Sequence, residues 1–199
     1  LGQSTAIVHT PITDAAIFAP NTVFTEFTAR KVSNARFRGI GSSPGNPAIT
    51  TYIDGVPQLN SNSSNIELLD VGQIEFVRGP QSPLFGRNTL GGIVNVTTAR
   101  PSMSKWTGAA FAPFGNAGLM EVRGHASGPV GDKAAIGVAG GLQQREGYTV
   151  NSVTGNDLDF RDGTFAKAQF MMLPNANWET RFIYAHERNR DGDYALGDL

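Results

Sequence analysis

The glycines of Gly39-Ile40-Gly41-Ser42-Ser43-Pro44-Gly45 are spaced like a loop that cradles phosphate with backbone N–H groups. No Lys-Ser pair closes the stretch, and Pro44 and Pro47 prevent the helix whose N-terminus would hold the anion, so phosphate chemistry is not expected. His9, His125 and His186 stand singly with no i, i+4 partner, which reads as surface or lumen histidine rather than a metal site. Asp157, Asp159 and Asp162 precede Gly163 but miss the spacing of a calcium loop. The chain has no cysteine, hence no disulfide, thiolate ligand or thiol nucleophile. No serine sits in Gly-x-Ser-x-Gly, and no motif places a pair of carboxylates. These residues predict neither an enzyme nor a resident metal or cofactor.

The more informative chemistry is a charged residue set against a glycine turn. Arg38-Gly39, Asp54-Gly55 and Arg78-Gly79-Pro80 each end an apolar run with a charge followed by a residue that accepts positive φ. Within Tyr52-Ile53-Asp54-Gly55-Val56-Pro57 the Asp-Gly pair predicts a tight hairpin. Phe76 to Thr98 reads as a strand ending at Arg78, a Gly79-Pro80 turn, and a tight loop through Phe85-Gly86. Gly91-Gly92 then marks close backbone approach before a second strand alternating Ile93, Val94, Asn95 and Val96. The apolar runs Thr50 to Ile53, Gln73 to Arg78 and Gly92 to Thr97 are the candidate strands of this half. Asn65 to Val71 predicts a short helix with Asn65 as its cap and Glu67 in its first turn.

Arg100-Pro101 breaks this pattern, dividing the 199 residues into a turn-rich part, 1–101, and a regular part, 102–199. In the second part, segments of about ten residues alternate with turns. Ile136, Val138 and Leu142 oppose Gly137, Ala139, Gly141, Gln143 and Arg145. Ala166, Ala168, Phe170 and Met172 oppose Lys167 and Gln169, and Trp178, Thr180, Phe182 and Tyr184 oppose Glu179, Arg181, Ala185 and Glu187. Leu119 to Ser127 alternates more weakly, and Lys105 to Phe114 alternates poorly and contains Pro113. About five strands are expected.

Alternation fits either a soluble sandwich with a solvated polar face or a barrel whose polar face lines a wet lumen. Charges deep in a strand are costly against a packed core but fit a wet lumen or a solvated face equally. Loop length favours the barrel, with short turns at Gly128 to Lys133 and Pro174 to Asn177 opposite a long Gly147 to Gly163 connection. Trp106 and Trp178 then fall at the short-turn ends, where an aromatic girdle belongs. A net charge of −1 gives no basic stripe for nucleic acid. No apolar run is long enough for a membrane-spanning helix, which does not bear on barrel strands. Leu1-Gly2-Gln3 carries no leader pattern and reads as the interior of something longer.

Arg38-Gly39-Ile40-Gly41, Tyr52-Ile53-Asp54-Gly55-Val56-Pro57, and Arg78-Gly79-Pro80 followed by Gly86 and Gly91-Gly92-Ile93-Val94-Asn95 occur in order. Together they resemble the TonB-dependent outer-membrane receptors, most of all the pesticin and yersiniabactin receptor branch. The resemblance implies a mainly β protein: a small α+β plug domain lacking its N-terminal part, then the first antiparallel strands of a transmembrane barrel of about 22 strands. It also implies active uptake of a ferric siderophore across the bacterial outer membrane. The expected partners are the TonB complex, the ferric chelate and outer-membrane lipid, with iron carried only in the ligand. In the family the arginines of the two Arg-Gly motifs pair with barrel glutamates and lock the plug, and Arg38 and Arg78 match them. Apical plug loops meet ligand in the family; the corresponding residues are Arg30, Lys31, Ser43, Asn46, Gln58 and Asn60. The reading that stands against this one is a soluble β-rich ligand-binding or adhesion module.

Overall fold

The computed structural model of the chain describes residues 12–26, 33–41, 48–58 and 69–192. They fall into two compact units, one spanning His9–Ala99 and the other containing Arg100–Leu199. Among the described residues α-helix is confined to single turns at Ile12–Ala15 and Ser82–Phe85.

The strands of the first unit are β1 (Thr22–Glu26), β2 (Ser33–Phe37), β3 (Ile40–Gly41), β4 (Ile49–Ile53), β5 (Val56–Gln58), β6 (Val71–Arg78) and β7 (Gly92–Thr98). A four-stranded sheet runs β5-β4-β7-β6, and β1, β2 and β3 form a smaller one. The central pair β4 and β7 is parallel, with Thr51 opposite Val94 and Ile53 opposite Val96. A parallel pair is normally covered on both faces, and Ile93, Val94 and Val96 are all buried although they alternate sides. One face is the main core: Ile49, Val94 and Val96 pack with Ile12, Ala35 and Phe37, bordered by Phe24, Ile53, Val71, Ile74 and Phe76. Phe24 and Phe37 each meet Phe76 edge-on, at 6.4 Å between ring centroids. Each fully buried side chain of this size contributes about 1.5–3 kcal/mol, so this cluster holds the β1–β2 hairpin against the sheet.

All three predicted strands of this half form. The predicted helix over Asn65 to Val71 fares differently. Residues 65–68 lie outside the described residues, Leu69 and Asp70 are not helical, and Val71 opens β6. Val71 pairs with Thr98 and borders the core, so pairing across the sheet claims the last residue of the predicted span.

The second unit contains β8 (Thr107–Phe111), β9 (Met120–Pro129), β10 (Ala134–Arg145), β11 (Thr149–Val150), β12 (Asp157–Leu158), β13 (Arg161–Asn175) and β14 (Trp178–Asn189). Five of these form one antiparallel sheet, β14-β13-β10-β9-β8, and β11 pairs with β12 inside the long connection. The faces are inverted relative to a soluble sheet. Along β13, Phe165, Lys167, Gln169 and Met171 are buried while Phe170 and Met172 are exposed. Register aligns Ile136, Phe170 and Phe182 in one outward row and Val138, Ala168 and Tyr184 in the next. An apolar outer face with charges on the inner one is the wall of a transmembrane barrel. Trp106, just before β8, and Trp178, opening β14, are both exposed at the short-turn end. The Trp106 ring lies over Gly128, where an added Cβ would come within 2.3 Å of it, so the glycine makes room for the aromatic anchor. The poorly alternating first segment gives the shortest of the five strands, β8.

Candidate functional site

Both Arg-Gly turns converge on the turn that precedes β1. Arg38 lies at φ 51° between β2 and β3, followed by Gly39 at φ 82°, and its N–H donates to the Asn21 carbonyl at 3.0 Å. Arg78 closes β6, and its Nη1 donates to the Pro20 carbonyl at 2.5 Å. One arginine therefore holds Pro20-Asn21 by its backbone and the other by its side chain. A guanidinium has five N–H donors, so Arg78 retains donors for a further partner. Among the described residues neither arginine is paired with a carboxylate.

Asp54 and Gly55 take φ 48° and 83°, the paired positive values of a two-residue hairpin turn. The side chain of Asp54 does more than form the turn. Its Oδ1 accepts the Thr98 N–H at 3.0 Å, and its Oδ2 accepts the Thr98 hydroxyl at 2.8 Å. The Asp54 N–H donates to the Val96 carbonyl at 2.9 Å. The carboxylate thus clamps the β4–β5 tip onto the end of β7. Nothing in the Asp-Gly signal pointed to this, because the partner is 44 residues away.

At the opposite end of the sheet, residues 79–91 form a closed loop. Its neck is Gly79 N–H to Gly91 carbonyl at 2.9 Å and Gln81 N–H to Thr89 carbonyl at 3.0 Å. From β4, the Tyr52 hydroxyl donates to the Phe85 carbonyl at 2.7 Å and the Thr50 hydroxyl to the Asn88 carbonyl at 2.7 Å. Inside the loop the fully buried Thr89 donates its hydroxyl to the Gly86 carbonyl at 2.7 Å. Gly92 is obligatory: at φ 136° an added Cβ would lie 2.2 Å from the Val77 carbonyl oxygen and 2.9 Å from the Phe37 ring. Gly91 is nearly as constrained, against Ile49 at 2.9 Å. Outward, the loop presents Pro83, Leu84, Arg87 and Leu90, with Leu84 82% exposed.

Of the expected ligand-contact residues, Arg30, Lys31, Ser43, Asn46 and Asn60 lie outside the described residues. Gln58 ends β5, half-buried, with its Nε2 donating to the Val56 carbonyl at 3.3 Å. Gly91 N–H donates to the Ala48 carbonyl at 2.8 Å, so the 79–91 loop stands at the end of the sheet where the chain enters β4 from 42–47. The sequence reading took that loop as a signature and missed it as a surface. The signal available was Pro83-Leu84, apolar residues in a turn with no strand to bury them.

The inner face of the barrel wall carries its own polar array. Glu121 and Arg123 form an ion pair, and the Arg123 guanidinium also lies 4.4 Å from the Phe165 ring centroid. Both charges are buried, as are Lys167 and Gln169. Burying a charge is costly without a partner, which explains the coupling of Arg123 to both a carboxylate and an aromatic face. Of the three aspartates near Gly163, Asp159 is a hydrogen-bond acceptor at the neck of the long connection. Its Oδ1 accepts the Tyr148 N–H at 2.7 Å, and its carbonyl accepts Arg145 Nη2 at 2.5 Å.

Residues 8–93 match the family model described as TonB-dependent Receptor Plug Domain. The chain is 32% identical over 163 residues to the pesticin receptor of Yersinia pestis, covering 79% of this chain and 24% of that protein. It is 33% identical over 97 residues to the vitamin B12 transporter BtuB of Vibrio cholerae, covering 48% of this chain and 16% of that protein. Among solved structures, the ferric yersiniabactin uptake receptor FyuA from Yersinia pestis superposes with a TM-score of 0.82 at 28% identity, over 89% of this chain and 29% of that one. The pyoverdine outer-membrane receptor FpvA from Pseudomonas aeruginosa PAO1 shares the fold at TM-score 0.73 and 15% identity, over 89% of this chain and 25% of that one. The chain spans about a quarter of the length of the curated pesticin receptors it matches. With the plug match, the three motifs in order and the inverted barrel wall, the chain belongs to the TonB-dependent receptors of the bacterial outer membrane.

Proposed function

We propose that this chain supplies the plug, taken as residues 1–101, and the first barrel strands, within 102–199, of a receptor that takes up a ferric siderophore with energy from the TonB complex. The observation that carries the transport reading is a plug-type sheet followed in one chain by a wall that buries Arg123, Lys167 and Gln169 while exposing Val138, Phe170 and Tyr184. A soluble adhesion module would bury the opposite parity. The siderophore is favoured because the relative aligned over 79% of the chain is a pesticin receptor and a solved structure aligned over 89% is a ferric yersiniabactin uptake receptor. The cobalamin transporter aligns over 48%.

In this reading Arg38 and Arg78 hold the plug through carboxylates of the barrel, with Arg78 already oriented by Pro20. Arg30, Lys31, Ser43, Asn46, Gln58 and Asn60 contact ligand, joined by the rigid tip of the 79–91 loop at Leu84 and Arg87. Arg30 and Lys31 suit an anionic complex. Iron enters only within the ligand, so the receptor holds no resident cofactor. The test is uptake of radioactive iron by cells whose sole receptor is the complete protein, supplied with ferric siderophores or labelled cobalamin, with and without TonB. TonB-dependent iron uptake is expected. Uptake of cobalamin alone would overturn the ligand assignment, and uptake that survives loss of TonB would overturn the mechanism.

A further inference from the structure

Between Thr98, which ends β7, and Thr107, which opens β8, the chain grips the barrel wall on both faces. Pro101 is buried and sits at Gly137 of β10, where an added Cβ would stand 3.4 Å from the Pro101 Cγ and 3.8 Å from its Cβ. This is the inner face, because Gly137 shares its parity with the buried Ala135 and Ala139. On the outer face the Trp106 ring covers Gly128 so closely that no Cβ fits beneath it. Gly128 is the register partner of Ile136, so the two seats lie back to back, one residue apart along the sheet. Glycine at both seats lets the proline and the indole approach the strands. Between them the Ser102 Oγ accepts the Lys105 N–H at 3.3 Å, turning the chain. Arg100 extends the grip sideways. Gly137 lies opposite Gln169 of β13, and β14 lies beyond β13, so the Arg100 side chain crosses a strand to bring its Nη2 within 3.5 Å of the Glu179 Oε1 on β14. An ion pair this exposed adds little stability; its effect is to aim the chain across the wall.

The connection has almost no slack. Ala99 ends the bonding of the first unit, its N–H donating to the Asp70 carbonyl at 2.8 Å, and Thr98 before it is held by Asp54. Pro101 is already seated on the wall. Only Arg100 stands between that bond and that seat, and one residue spans at most about 3.6 Å. The proline ring also confines Arg100 to extended backbone. A displacement of the end of β7 beyond one residue's reach must therefore break the Ala99 bond, expose Pro101 or lift the indole from Gly128. We infer that residues 100–106 are a clasp that stays closed through the transport cycle, so that the rearrangement admitting ligand lies N-terminal to Ala99. Arg100 is its positioning residue, with Gly128 and Gly137 as its two seats. The clasp's role rests on the transport function proposed above; its seats do not.

The Cβ separation of 3.8 Å at the inner seat suits a disulfide, and the 199 residues contain no cysteine to compete. The test uses the complete receptor carrying Pro101→Cys with Gly137→Cys, any cysteine elsewhere replaced by serine, in cells that have no other siderophore receptor. The disulfide should form in the membrane. TonB-dependent uptake of radioactive iron from ferric siderophore should then run at the same rate in oxidised cells and after reduction with dithiothreitol. Loss of uptake on oxidation that reduction restores would overturn the closed clasp. A receptor that reaches the membrane without forming the disulfide would remove the inner seat. Ser102→Cys, which keeps Pro101 and Gly137, reads the same motion without a cross-link and decides alone if the double variant does not accumulate. Its labelling by a water-soluble maleimide should be equally slow with and without ferric siderophore and TonB, and faster labelling only when both are present would show the clasp opening and overturn it. The two levels stay separate: absence of TonB-dependent uptake in the wild type condemns the transport reading, whereas the disulfide between positions 101 and 137 is read whether or not iron enters.

Discussion

Replacing Asp54 with alanine removes both acceptors that hold the end of β7. The Thr98 N–H and hydroxyl lose carboxylate bonds of 3.0 and 2.8 Å, each contributing about 1.5–3 kcal/mol when the acceptor is charged. Asp54 is half-buried, so the lower figure applies and the two together come to about 3 kcal/mol. Thr98 is only 7% exposed, so water does not replace the lost partner at its amide. Alanine also tolerates φ 48° less well than aspartate, adding about 1 kcal/mol. A total of about 4 kcal/mol is a large share of the roughly 5–15 kcal/mol that stabilises a domain. The assay is hydrogen exchange of the complete receptor followed at Thr98. At tenfold per about 1.4 kcal/mol, local opening in Asp54→Ala should speed exchange by more than a hundredfold. Asp54→Asn keeps one acceptor and should fall between. In a double-mutant cycle Asp54→Ala and Thr98→Val should be less than additive, because each removes the same hydroxyl bond. Unchanged Thr98 protection in Asp54→Ala, or full additivity with Thr98→Val, would refute the clamp.

Gly92→Ala should lower folding yield sharply, by about 3 kcal/mol or more, because its Cβ would overlap the Val77 carbonyl. Gly79→Ala, at φ 104° but with open space around it, should cost only about 1–2 kcal/mol, and thermal melts of the two variants rank them. Arg78→Ala should increase entry of large antibiotics through the receptor and loosen exchange at Asn21, while the Pro20 contact alone accounts for about 1–2 kcal/mol; unchanged entry in both Arg38→Ala and Arg78→Ala would remove the lock. Leu84→Ala and Arg87→Ala should raise the dissociation constant for ferric siderophore without lowering receptor abundance. Changes at Asn175 or Asn177 should not, and the reverse ranking would invert the topology.

The strands β4, β6 and β7, the place of the hairpin and the need for glycine at 55, 79 and 92 were legible in the sequence, whereas β1, β2 and β3 were not. Period-2 alternation and turn chemistry act between residues a few positions apart, and the chain carries them wherever it folds. Alternation could not say which side of β13 faces in, because Lys167 and Phe170 obey the same period in a soluble sheet and in a barrel wall. Burial of Lys167 at 6% beside exposure of Phe170 at 38% answers that. Val71, the last residue of the predicted helix, lies in β6 because its partner, Thr98, lies on β7. The side-chain hydrogen bonds that hold the turns are of the same long-range kind: Tyr52 to Phe85 across 33 residues, Asp54 to Thr98 across 44 and Arg78 to Pro20 across 58. A side chain's type fixes what it can donate or accept. Its partner is set only when packing brings distant segments together and excludes water from the pair.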